Sequence, residues 1–190
     1  MTTYVVIDVE FDGPIPGVNS MISIGAIAIN KQGDELGEFE VNLLPMETAK
    51  IDEATMNWFN NEAPEALKYC RKNALKPDQA MTKFGDWLIN LPSPRIMAAH
   101  PGPTDYMWIH YYILTFLSYR LEKFPFLAPF FNYSPAFDIK SFASSVLKKD
   151  FSEISRNNYP LELHDNSRHT HKAIEDAREY SKLLIKLFRL

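Results

Sequence analysis

The chain opens on an apolar run, Val5-Val6-Ile7, held between Tyr4 and the pair Asp8-Val9-Glu10. A run that does not alternate with polar positions predicts a strand covered on both faces, and the period-two repeat of a strand turns Asp8 and Glu10 to the same side. Phe11 to Asn19 contains Gly13, Pro14, Pro16 and Gly17 and reads as a loop. The small and β-branched residues of Met21 to Ile29 predict a second covered strand, Lys31-Gln32-Gly33-Asp34 a turn, and the alternation from Glu35 to Leu44 a third strand that pairs with the second as a hairpin.

Helical spacing follows. Asp52 to Asn60 and Pro64 to Asn73 are expected as helices, with Pro64 suited to a first helical position. Met81, Phe84, Trp87 and Leu88 recur at helical intervals in a segment that ends at Asn90, and Asp78 is expected to cap it. Arg95 to His100 predicts a fourth, short strand. Pro101-Gly102-Pro103-Thr104 then reads as a turn into a helix that begins near Asp105, which places this acid at a strand-to-helix junction. Tyr106 to Leu121 is nearly all apolar and is expected to be a core helix. The proline- and phenylalanine-rich stretch 124–137 is expected to be an ordered loop packed on the domain, because so many large apolar groups would not stay solvated. Asp138 opens a helix from Ile139 to Lys148 with Phe142 and Val146 inward, and residues 149–168 read as polar loop. The last element, His171 to Leu190, carries Ala173, Ala177, Tyr180 and Leu184 on one face, as an amphipathic helix docking on a sheet does. No internal repeat appears, and strands followed by mixed helices predict one α/β domain over residues 1–190.

Composition narrows the function classes. With 46% apolar and 13% aromatic residues in 190, the chain can bury a sizeable core and is not a disordered segment. A net charge of −4 argues against a tight, non-specific nucleic-acid binder of the Lys/Arg-rich kind. It leaves room for an enzyme that grips a strand end through metal ions. Cys70 is the single cysteine, and the first residues have no basic region before an apolar run that Asp8 interrupts, so no signal peptide and a reducing, cytoplasmic location are expected. The longest apolar tract, Tyr106 to Leu117, includes His110 and is too short to cross a bilayer.

The chemistry-bearing residues are acids. Two carboxylates one residue apart on a rigid strand repel each other unless a cation or a shared proton relieves them, and a set of oxygen ligands favours Mg²⁺ or Mn²⁺ over zinc. Such a pair is also what a strand fraying into a surface loop leaves behind. A second acid, Asp105, follows the fourth strand, and on a continuous helix Asp176 would lie between one and two turns beyond His171. His164 and His169, in a loop with no acids at ligand spacing, read as surface histidines.

Taken in order, Asp8-Val9-Glu10, then His100 with Asp105, then His171-Lys172-Ala173-Ile174-Glu175-Asp176-Ala177, the series resembles the three exonuclease motifs of the DEDDh 3′–5′ exonucleases. That group includes polymerase proofreading subunits, oligoribonuclease and ribonuclease T. The motifs reach from residue 8 to residue 176, and their specificity lies in the trio. The resemblance implies a ribonuclease H-like α/β fold, a mixed five-stranded sheet with its second strand antiparallel and helices on both faces. It implies two divalent ions, Mg²⁺ or Mn²⁺, held by Asp8, Glu10, Asp105 and Asp176, with His171 as general base and the 3′ end of single-stranded DNA, RNA or a short oligonucleotide as substrate. A pair of ions roughly 3.5–4 Å apart can activate a water and stabilise the departing oxygen, and an imidazole with an ordinary pKa near about 6.5 can take the water's proton. Two alternatives are a catalytically silent nucleic-acid-binding module of the same fold and a ribonuclease H-like endonuclease; the His-x-Ala-x-x-Asp motif speaks against the second.

The chain departs from the family pattern at three places. Phe11 stands where Thr usually follows the Glu, Pro101 where Asn usually precedes the second-motif Asp by four, and Thr104 where many members have Phe. None removes an expected ligand or the base. At the strand end the Phe11 ring is expected either to turn toward the rim of the site and stack on the terminal base or to join the core.

Overall fold

A strand that carries apolar residues at both odd and even positions must be covered on both sides, and the computed structural model shows how this is done for residues 1–121, 127–132, 136–163 and 170–190, which it describes. β1 (Thr3–Phe11) lies in the middle of a five-stranded sheet of order β3-β2-β1-β4-β5. It is flanked by β2 (Met21–Ile29), which is antiparallel to it, and β4 (Arg95–Ala99), which is parallel. β3 (Glu35–Asn42) forms the antiparallel edge and β5 (Phe137–Asp138) the parallel one. The mixed sheet with its antiparallel second strand is the one expected of a ribonuclease H-like α/β fold.

Val5, Ile7 and Val9 face a core with α3 (Pro77–Asn90) and α4 (Gly102–Phe116), where Phe84, Trp108 and Tyr112 are fully enclosed. Tyr4 and Val6 face the opposite layer, formed by α5 (Ile139–Leu147) and α6 (Ala173–Leu187). By strand alternation Asp8 and Glu10 continue this second row, toward α6. A third, smaller cluster joins Ile22 to α1 (Glu53–Glu62) and α2 (Pro64–Cys70). The Tyr106 to Leu117 tract is core as expected, with Trp108, Ile109, Tyr112, Ile113 and Leu117 all buried. So are Leu127, Phe130 and Phe131 of the aromatic loop, whose remaining residues fall partly outside the described ones.

Several boundaries differ from the sequence expectation. α3 begins at Pro77, so Asp78 sits in its first turn rather than capping it, and the residue at the cap, Lys76, makes no side-chain hydrogen bond there. α4 begins at Gly102 instead of near Asp105. Its prolines lie at the cap and in the first turn, where a missing N–H costs nothing, so what reads as a turn is helix. It also ends at Phe116, and residues 118–120 form a separate 3₁₀ turn. β5, only two residues long, has no periodic signal of its own, and Asp138 at its end caps α5 by accepting from the Ser141 N–H at 2.9 Å. In the segment after α5 two 3₁₀ turns, at 151–153 and 156–158, bring Ile154, Tyr159 and Leu163 into the second core. Among the described residues no helix is long and apolar enough to cross a membrane.

Candidate metal and active site

The site gathers at the end of β1 that leads to Glu10. Asp8 and Glu10 come from the central strand, Asp105 from the first turn of α4, and Asp176 from the first turn of α6. Asp105 is held by its Oδ1, which accepts from the Val9 backbone N–H at 3.1 Å, so the strand between the two β1 acids itself orients the third. One ligand atom each from Glu10, His171 and Asp176 lies within 4.8 Å of the others. Asp8 and Asp105 lie within electrostatic reach of Glu10 and Asp176, so the five residues singled out by the motifs come together from three parts of the chain.

His171 reaches the cluster in a way helix geometry does not anticipate. α6 starts at Ala173, and His171 lies two residues ahead of it with φ +54°, in the left-handed region. The imidazole and the Asp176 carboxylate thus approach each other across the helix start, not along one helix face. Trp58 of α1 sets its ring edge-on to the imidazole, with centroids 4.8 Å apart and planes at 84°. His164 and His169 lie outside the described residues.

The close approach of α6 depends on Gly25. Gly25 is the β2 partner of Asp8, and a Cβ added there would meet the Ala173 carbonyl carbon and the Ile174 nitrogen at 2.2 Å. Only the bare glycine lets the first turn of α6 lie against the sheet beside Asp8. A glycine inside a β pattern signals such an approach, and it is the one clue in the sequence to how the third motif is docked.

The electrostatics are those of acids with too little compensation. Burial, followed by the charges of Asp105, Glu10, Asp176 and Glu179, holds the Asp8 carboxyl well above the usual carboxylate range. Burial and the charges of Asp176 and Asp105 do the same to Glu10. Burial raises Asp105 to about 7, against the opposing hydrogen bonds from the Val9 N–H and its own. Glu179, a fifth acid within electrostatic reach, is gripped through both oxygens by Arg156, at 2.9 and 2.7 Å. Behind the acids, Tyr180 stacks on His100 with centroids 4.6 Å apart, and His100 Nε2 meets the Tyr159 hydroxyl at 2.7 Å. Sequence reasoning used His100 only as a landmark; here burial pushes its imidazole down to about 4, and it is a neutral core group that supports α6.

Phe11 ends β1 where the ladder to β2 shifts register, between Glu10 and Phe11. Its half-buried ring stacks on Trp108, with centroids 5.1 Å apart and planes at 11°.

The sequence profile of the RNase_T family, described as exonuclease, matches residues 5–184. The chain belongs to this exonuclease family. Its fold is that of DEDDh nucleases. The nuclease domain of 3′hExo, a DEDDh family member bound to rAMP, superposes with a TM-score of 0.71 at 12% identity, covering 98% of this chain and 92% of that one. Cell-death related nuclease 4 gives 0.67 at 13% identity, covering 98% and 64%. The zinc-bound E. coli ExoI–ssDNA complex gives 0.64 at 13% identity, covering 98% and 40%. The chain spans 63% of the 3′-exonuclease whose structure shows 3′-end-specific recognition of a histone mRNA stem-loop. A comparison with curated protein sequences found no match. With this membership the chain is an enzyme of the nuclease class, with a cluster able to ligate a metal.

Proposed function

We propose that residues 1–190 form a single exonuclease domain that removes nucleotides from the 3′ end of single-stranded DNA, RNA or short oligonucleotides, dependent on Mg²⁺ or Mn²⁺. The observation that carries this reading is the meeting of Asp8, Glu10, Asp105 and Asp176 with His171 at one strand end, where burial raises Asp8, Glu10 and Asp105 and the neighbouring acids add repulsion at Asp8 and Glu10. The donor set fits hard divalent cations. It is rich in carboxylate oxygens, holds no thiolate, and is strained by charge in a way that cations would relieve.

Asp8, Glu10, Asp105 and Asp176 would hold two such ions. When bound, they supply Lewis-acid stabilisation to the attacking and departing oxygens of an in-line displacement. The protein's own share is positional. Asp8 and Glu10 are fixed by the central strand, Asp105 by the Val9 N–H, and Asp176 by the docking of α6 on Gly25. His171 takes the proton of the attacking water as its oxygen bonds to phosphorus and the bond from phosphorus to the 3′ oxygen breaks; solvent protonates that oxygen, and a nucleoside 5′-monophosphate leaves. The exposed part of the Phe11 ring offers a stacking surface to the terminal base, which ignores base identity. The solved relatives include one bound to rAMP and one in complex with ssDNA, so either sugar is compatible with this fold. A reducing, cytoplasmic setting suits the free, buried Cys70.

Digestion of 5′-labelled single-stranded DNA and RNA tests the proposal. A ladder shortening from the 3′ end with Mg²⁺ or Mn²⁺, and no cleavage in EDTA, is expected. Internal cuts, or full activity in EDTA, would overturn it.

A further inference from the structure

The chain carries a net charge of −4, yet residues 68–83 hold Lys68, Arg71, Lys72, Lys76 and Lys83 against the single acid Asp78. All five cations are exposed, and none makes an ion pair with a described residue. Uncompensated like charges concentrated in a short stretch of an acidic protein raise the local potential without any compensating contact inside the fold. The folded chain turns part of this stretch into a groove of about 460 Å³, where Tyr69 of α2, Lys72 and Asn73 of the α2–α3 connection and Lys83 of α3 face Asn42 and Glu40 of β3. The shape is fixed from below by Asn42, whose side-chain amide donates to the Tyr69 and Lys72 carbonyls at 2.9 and 3.0 Å. The one carboxylate on its wall, Glu40, already accepts the Tyr69 hydroxyl at 2.6 Å.

Lys172 links the groove to the metal and active site. Lys172, the residue between His171 and α6, places its ammonium 5.1 Å from the centre of the Tyr69 ring while pairing with Glu175 at 2.7 Å. A line of basic and aromatic groups thus leads from His171 through Lys172 and Tyr69 to Lys72 and Lys83. We propose that this groove is the track for the sugar–phosphate backbone of the single strand on the 5′ side of the bond to be cut. The ligand class is a polyanion in extended form. Lysine ammoniums bind phosphates as point charges with no sequence preference, and Tyr69 offers a ring beside them. The inference rests on reading the site as an exonuclease, and it adds that affinity should grow with strand length beyond the terminal nucleotides.

The test uses the full chain with Lys72→Ala/Lys83→Ala, and with Lys31→Ala/Lys149→Ala as a control at lysines outside the groove. Two readouts separate the track from the chemistry. Fluorescence anisotropy of a long labelled single strand in EDTA measures binding without turnover. Hydrolysis of the same strand and of p-nitrophenyl thymidine 5′-monophosphate, with Mg²⁺, measures turnover with and without an upstream backbone. Loss of two phosphate contacts should lower the slope of log affinity against log salt by roughly 1.4 and weaken strand binding about fivefold to tenfold at moderate salt. The small ester should be hydrolysed at the wild-type rate, and the control pair should behave as wild type. If the wild type hydrolyses neither substrate, the exonuclease reading fails while the anisotropy still decides the track. Unchanged strand affinity and salt slope in the groove variant would overturn the proposal.

Discussion

Gly25 and Ala173 touch where the third motif meets the sheet: a Cβ on Gly25 would lie 2.2 Å from the Ala173 carbonyl carbon. Because Gly25 is also the ladder partner of Asp8, this contact fixes the distance between the β1 acids and the start of α6 that carries Asp176. A methyl group there forces either the helix or the strand to move. Gly25→Ala should cost about 1–3 kcal/mol of stability, as overpacked sites do, and lower turnover roughly 100-fold through misplacement of Asp176 and His171. Thermal denaturation and a steady-state assay on the same preparation check this; full activity in a folded variant would show that α6 is not positioned by this contact.

Acid ionisation sets a second expectation. Asp105, raised from the ordinary 3.8 to about 7, binds its proton more tightly in the folded chain than in the unfolded one. Ionising it in the absence of metal therefore destabilises the fold, by an amount that is absent below about pH 4 and grows until about pH 7. His100, held down at about 4, has the opposite sign, since its contribution is lost as the pH falls from 6.5 toward 4, but that contribution is common to wild type and variant. In EDTA, Asp105→Asn should match the wild-type melting temperature at acid pH and exceed it by several degrees near neutrality, while turnover is nearly abolished. Mg²⁺ should raise the wild-type melting temperature and not that of the variant. A difference independent of pH would contradict the assignment of Asp105 to the charged cluster.

His171 carries the third. Loss of a general base typically costs 10²- to 10⁴-fold, so His171→Ala should lose about that factor in kcat with a smaller change in KM. His164→Ala and His169→Ala should retain most of the rate. If either of these proves the crippling change instead, the proton acceptor has been misassigned.

The central strand and the ends of the site were legible because they rest on local rules. Continuous apolar residues in β1 and β2 and paired acids at a strand end follow from periodicity alone, and the match of β2 to Met21–Ile29 is complete. The motif order added the sheet topology, which no local pattern contains. What escaped was set by tertiary contacts. The left-handed turn at His171 comes just ahead of α6, which starts at Ala173 against Gly25, whereas propensity reads the segment as helix from His171 onward. The early start of α4 was hidden by its prolines, which punctuate a sequence in a loop and in a first helical turn alike. Trp58, beside His171, and Arg156, which grips Glu179 of α6, come from segments outside the motifs, and no spacing announces them.

Phe11 separates binding from packing. Its ring stacks on Trp108 at 5.1 Å, so part of its area is already used by the core that α4 forms against β1, and the rest remains open at the strand end beside Glu10. Both contributions should appear on truncation, in different measurements. Phe11→Ala should lower the melting temperature, at a cost in stability below the about 3–5 kcal/mol of a fully buried phenylalanine. If the open part meets the terminal base, the loss of about 1–3 kcal/mol of stacking should raise KM for oligonucleotides roughly 5- to 150-fold, equally for purine and pyrimidine ends. Phe11→Trp keeps an aromatic face and should retain most of the affinity even where the larger ring strains the contact with Trp108. A Phe11→Ala protein with wild-type KM and a lowered melting temperature would confine the residue to the core and leave recognition of the terminal base to other groups, such as the exposed ring of Trp58 against His171.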